Sequence, residues 1–126
     1  MPRFVVLEHD HPVLHWDLML EADAVLQTWR LAQPPALATS AIAATALPDH
    51  RVIYLDYEGP VSGERGTVQR WDVGEYTEEP ESQADARRYW FQGTRVRGRV
   101  RLDHCTGADW LFRYEFIVEL PSADLG

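Results

Sequence analysis

His9, His15 and Asp17 are the residues of this sequence best suited to share a metal ion. His15 and Asp17 lie two apart in LHWDLMLE, whose clean alternation reads as a β-strand, so both side chains leave the same face one pleat apart. His9 ends the preceding apolar run, RFVVLE, and is expected to reach the same place across a tight connection. Two imidazoles and a carboxylate leave positions open on an ion. Imidazole suits zinc, iron and nickel, and the carboxylate admits manganese. The plainer reading is a polar strand face, since two histidines and an aspartate within nine residues also arise by chance. His11 precedes a proline and reads as a solvated turn residue. His50 and Tyr54 form a second pair, four residues apart and on one face of an unkinked strand. Histidine can donate to a phosphate oxygen or shuttle a proton, and a tyrosine hydroxyl can orient or donate. The alternative is a strand-start histidine beside a half-buried tyrosine.

The elements that must position these residues are mostly strands. Stretches 3–8, 14–21 and 24–31 read as three strands, and 50–57 as another strand or two short ones. Residues 66–72, 89–92, 95–102 and 109–119 continue the pattern. The Ala-, Pro- and Thr-rich segment 32–47 reads as a loop with a short helix, and 77–88 as a loop or short surface helix. About eight short strands at regular spacing predict a mainly β fold, a small closed barrel with one or two short flanking helices. Five tryptophans suit its core. Arg95, Arg97, Arg99 and Arg101 share one strand face, either a phosphate-binding strip or a solvated face that discourages edge pairing.

Composition narrows the function. A chain of 126 residues reads as one domain, 1–126, and 45% hydrophobic with 25% charged residues argues against disorder. No apolar run approaches the roughly 18 residues of a membrane helix, and charges arrive too early for a signal peptide. Cys105 is the single cysteine, so no internal disulfide forms. These features predict a cytoplasmic protein, mature from Met1, monomeric and without a membrane partner. Net charge −8 weighs against a long electrostatic footprint on nucleic acid, yet leaves room for a small positive pocket or a metal. All twelve basic residues are arginine, which excludes a lysine nucleophile and makes every cation a fork suited to phosphate.

Taken together, these residues resemble the 3′-phosphoesterase domain of bacterial ligase D, the DNA end-joining enzyme, and its stand-alone relatives. That family opens with a strand, His-Asp, a short turn, Leu-His-aromatic-Asp and Leu-Glu; here the order is FVVLEHDHPVLHWDLMLEADAVLQTW. Its second block, Asp-His with a Tyr four residues later and then Asp-aromatic-Glu-Gly, reads DHRVIYLDYEG. Its third, Gly-Thr-Val followed by Trp-Asp-x-Gly, appears as GTVQRWDVGEY, and the late strands as RVRGRVRLDHCTGADWLFRYEF.

The resemblance implies a small β-barrel and a divalent metal, usually manganese, held by His9, His15 and Asp17. It implies that His50 and Tyr54 contact the scissile phosphate. It implies a hydrolase that trims a 3′-terminal ribonucleotide to a 3′-phosphate and then removes that phosphate, working on nucleic-acid 3′ ends beside separate ligase or polymerase proteins. Zinc or another transition metal suits the same ligands. Three family phosphate-handling positions differ: an arginine is Met19, a lysine is Gln33 and a glutamate is Pro48. A further loop arginine has no match in ALATSAIAATAL. Losing one charge-assisted fork costs about 2 kcal/mol, or tens-fold in rate. Arg30 and Arg51 are the candidate substitutes. The competing expectation is a weak or inactive metal-containing binding module for nucleic-acid ends or a small phosphorylated ligand.

Overall fold

The computed structural model describes residues 1–36 and 41–117. Nine strands run along them: β1 (Arg3–His9), β2 (His15–Ala22), β3 (Val25–Leu31), β4 (Ile42–Arg51), β5 (Gly59–Pro60), β6 (Thr67–Glu78), β7 (Ala86–Gly93), β8 (Arg97–Thr106) and β9 (Asp109–Phe116). All pairings are antiparallel, in the order β1-β2-β3-β4-β9-β8-β7-β6, and β6 returns to β1. Eight strands therefore close into a barrel, with β5 pairing the first residues of β6. Closure removes the open edges that an eight-strand sheet would otherwise present. The mainly β barrel expected from the sequence is what forms. No described helix is long and apolar enough to cross a membrane.

The β1 run Phe4-Val5-Val6-Leu7 does not alternate because both faces of the strand are buried. Phe4 and Val6 enter the barrel with Leu18, Leu20, Trp29 and Phe91. Val5 and Leu7 point the other way and join Met19, Leu26, Leu55 and Val68 in a second apolar cluster on the outer wall. That outer cluster is roofed by Val52, Tyr54, Tyr57 and Val61 from the segment after β4.

Several local expectations are corrected. The only helical element among the described residues is a 3₁₀ turn, Val52–Leu55, so the flanking helices are not formed. Residues 50–57 are the end of β4 followed by that turn. The tight winding sets Val52 and Leu55, three apart, over the outer cluster and leaves Ile53 exposed. The last part of 32–47 is not a loop or helix: 42–47 belongs to β4, where Ile42 and Ala44 face inward between β3 and β9. Residues 37–40 and 118–119 of the sequence reading lie outside the described residues. Segment 77–88 is strand at both ends around a turn, with no helix. Trp29 and Trp110 are core residues, 5.6 Å apart with the Arg87 guanidinium over both. Trp90 instead lies on the outer face beneath Arg99. Arg95 sits in the β7–β8 turn over Trp71, so only Arg97, Arg99 and Arg101 share the β8 face. By strand order that face is on the opposite wall of the barrel from β1 and β2.

Two buried carboxylates, on β6 and just after it, tie that strand to the β7–β8 region. Asp72 accepts backbone N–H bonds from Val73, Thr94, Arg95 and Val96 at 2.8–3.2 Å, bracing the β7–β8 turn. Glu79 lies 3.3 Å from Arg99 Nε, and burial with a hydrogen bond to Glu81 raises its carboxyl above the usual range.

Candidate metal and phosphate site

The site lies on the outer wall of the barrel, not in its bore. In the β1–β2 hairpin His9 pairs with His15, and Leu7 with Asp17. Alternation sends Trp16 and Leu18 toward the interior and His15, Asp17 and Met19 toward the outer face. The β2–β3 register then sets Arg30 opposite Asp17 and Thr28 opposite Met19. Thus the strand period that fills the core also gathers the polar groups on its reverse side.

The ligand atoms of His9, His15 and Asp17 all lie within 4.8 Å of one another. Asp17 Oδ2 is 3.4 Å from His15 Nε2 and 3.8 Å from His9 Nδ1. The opposite nitrogen of each ring is engaged by a backbone carbonyl: His15 Nδ1 with Val13 O at 2.8 Å, His9 Nε2 with Arg65 O at 2.7 Å. A carbonyl only accepts, so those nitrogens carry the protons and donate. In the neutral rings, His15 Nε2 and His9 Nδ1 then present lone pairs toward the carboxylate. Three acceptors converge with no proton between them. His15 is 2% exposed and Asp17 4%, and His15 Nε2 and Asp17 Oδ1 have no hydrogen-bond partner among the described residues. Buried acceptors left in this way cost free energy unless a cation joins them. The donor set and its carbonyl-fixed tautomers therefore fit a divalent ion.

The loop that aims His9 is itself tethered. Asp10 Oδ1 accepts from Thr67 N at 2.8 Å. Gly66, at φ +77°, passes so close that an added Cβ would stand 2.3 Å from Asp10 Oδ1 and 2.5 Å from His11 Cβ. Only glycine fits there. The Gly-Thr-Val block thus locks the 60s loop onto His-Asp and delivers the Arg65 carbonyl to His9.

A cavity of about 240 Å³ opens over this cluster. His9, Asp17, Met19, Arg30, His50 and Tyr54 line it. The structure therefore brings His9 and Asp17 of the predicted triad and the predicted His50-Tyr54 pair to one cavity, with His15 buried beside it, although by a turn and not a straight strand. His50 and Tyr54 meet edge to face with ring centroids 6.0 Å apart, and His50 Nδ1 donates to Pro48 O at 2.9 Å, leaving Nε2 free. Met19 is buried in the cavity floor, where the family resemblance places an arginine. Arg30 Nε lies 4.0 Å from Asp17 Oδ1 and has no hydrogen-bond partner among the described residues. Arg51 does not line this cavity but a neighbouring groove. Gln33 and Pro48 are exposed and outside the lining. His11, read from the sequence as a solvated turn residue, is exposed but lines the cavity mouth. The reading also missed Asp10 and Arg65 as positioning residues. Their signal was present in the adjacency of Asp10 to His9 and of Arg65 to the Gly-Thr-Val block.

Comparison with known proteins identifies the family. Residues 7–104, more than half of the chain, match the family model described as the DNA ligase D 3′-phosphoesterase domain. The chain is 31% identical over 124 residues to the multifunctional non-homologous end joining protein LigD of Mycolicibacterium smegmatis, which covers 86% of this chain and 16% of the relative. It is 32% identical over 116 residues to the corresponding DNA repair protein of Mycobacterium tuberculosis, covering 86% of this chain and 15% of the relative. The LigD of Pseudomonas aeruginosa is 34% identical over 79 residues, 60% of this chain and 9% of the relative. The chain thus spans a small part of these relatives' length.

Proposed function

Since the chain belongs to the DNA ligase D 3′-phosphoesterase domain family, we propose that it is a metal-dependent phosphoesterase acting on the 3′ ends of nucleic acid during end joining. In this reading residues 1–126 form one 3′-phosphoesterase-like domain, cytoplasmic with the DNA it repairs, and manganese is the expected ion. It removes a 3′-terminal ribonucleoside by breaking the P–O5′ bond, and then the remaining phosphate by breaking P–O3′. Water supplies the new P–O bond in each step.

The observation that carries the reading is the shared cavity: His9 and Asp17, with His15 buried behind them, and the His50-Tyr54 pair open onto one space. A divalent ion bound by the first three residues would supply Lewis acidity and charge neutralisation to a phosphoryl group. The chain's own residues do the rest. Val13 and Arg65 carbonyls fix the imidazole tautomers. His50, held through Nδ1, presents Nε2 toward the phosphoryl group, where the doubly protonated ring would donate a proton to the leaving oxygen. The Tyr54 hydroxyl binds a phosphate oxygen. Arg30 offers the cation that the Met19 position lacks, from the facing strand.

The test is release of 3′-phosphate or 3′-ribonucleoside from a short primer-template with manganese, with loss of turnover in His50→Ala. A wild-type protein inert across several divalent metals overturns the hydrolytic reading. Burial of Met19 favours one second reading, a binding module that holds an end without cleaving it. Retained end binding in an inert protein would select it.

A further inference from the structure

Beside the metal cavity lies a second groove of about 310 Å³. The two share Tyr54 and Val61 as a common wall. Tyr54 meets His50 edge to face on one side and the Tyr57 ring on the other, at 5.7 Å and 85°. Arg51, Ile53, Tyr57 and Ser62 supply the rest of the groove that matters here.

Two of these residues have no evident role in the fold. Ile53 is 61% exposed, although its neighbours Val52 and Tyr54 pack on the outer cluster. Arg3, Arg70, Arg88, Arg99 and Arg113 each lie within 4.0 Å of a carboxylate. Arg51, also exposed, has no such partner among the described residues. An apolar surface, a tyrosine ring and a free guanidinium thus lie one residue's width from the phosphate cavity.

The chemistry of the substrate says what belongs there. A phosphate at a nucleic-acid 3′ end is esterified to a nucleoside, which brings a planar base, a sugar and the next phosphate of the strand. Base contacts on aromatic and apolar side chains tolerate any sequence, and an arginine fork suits the adjoining phosphate. We propose that the Arg51-Ile53-Tyr57 groove is the subsite for the terminal nucleoside that carries the scissile phosphate. Ile53 and Tyr57 contact its base and Arg51 its 5′-side phosphate. This assignment rests on the nucleic-acid-end reading above and adds a docking direction to it. The strand leaves the metal over the 3₁₀ turn, away from the β8 arginines.

The experiment measures binding and turnover together. A 5′-fluorescein pentanucleotide with a 3′-phosphate is titrated by anisotropy against wild type, Ile53→Asp and Arg51→Gln, with manganese present. Both positions are exposed, so neither change opens the core. Each variant should weaken oligonucleotide binding about tenfold. Competition by inorganic phosphate, which has no nucleoside, should stay within twofold of wild type. Unchanged oligonucleotide affinity, or an equal loss for both probes, overturns the subsite, as does failure of the wild type to bind the pentanucleotide. If the wild type binds it and the variants do not, while no phosphate is released, the subsite stands and the hydrolytic reading falls.

Discussion

Asp17 and Asp72 are each 4% exposed and lie on β2 and β6, the two strands that flank β1, yet their surroundings could hardly differ more. Asp72 receives four backbone N–H bonds and spends its whole charge on a turn. Asp17 receives none among the described residues and faces two imidazole nitrogens, with Arg30 at 4.0 Å. Burial alone therefore does not mark a functional carboxylate. The distinction is whether the protein has already supplied the donors. A carboxylate surrounded by amides is a brace, and one surrounded by acceptors is a candidate ligand.

The sharpest challenge to that contrast is Asp72→Ala. It leaves four amides without their acceptor and should cost about 3 kcal/mol, read as a melting temperature lower by roughly 10 °C. Manganese affinity should be nearly unchanged. A loss below about 1 kcal/mol would mean that water replaces the carboxylate and the brace is dispensable. Asp17→Asn should behave in the opposite way. Without metal its melting temperature should equal or exceed that of wild type, because an acceptor facing acceptors is removed. Manganese binding, by calorimetry, should weaken about 100-fold or more. At manganese a hundred times the wild-type dissociation constant, wild type should gain about 2.7 kcal/mol, which the variant and a chelator both erase. A variant that bound manganese as tightly would refute Asp17 as a ligand.

Glu79 supplies the smallest and intermediate case. Burial and the bond to Glu81 raise its folded-state pKa, so the native state holds its proton more tightly than the unfolded chain does. Its contribution is therefore fully present at low pH and is lost as pH climbs from the ordinary glutamate value through the raised one. Glu79→Gln should gain on wild type, by less than about 1 kcal/mol, between pH 4 and 7. A stability difference independent of pH would show that Arg99 already satisfies the carboxylate.

The sequence made one side of this contrast visible. His15 and Asp17 were legible because a strand's period is local, and His9 because only a short loop separates it from them. The barrel was legible from the number and spacing of its strands. β4 was not, because alanine and threonine carry little strand signal and pairing with β3 and β9 decides its conformation. The outer cluster was only half legible: the unbroken apolar run of β1 marks a strand buried on both faces, but nothing local names the 3₁₀ segment that covers the outer one. Asp72 looked like one more charge in an acidic stretch, since three of its four donors come from residues 22 to 24 positions later. Tyr54 was placed on a strand face and instead reaches His50 by a 3₁₀ turn.

The Arg65 carbonyl has a consequence in time as well as in space. The three ligands share one hairpin, whose contacts need only a short loop to close. The carbonyl that aims His9 comes from 56 residues away and arrives when β6 shuts the barrel against β1. If the three residues hold an ion as proposed, a chain with only the hairpin formed should have them near one another but grip the ion firmly only once the barrel closes. On that reading metal affinity would be a gauge of barrel completion.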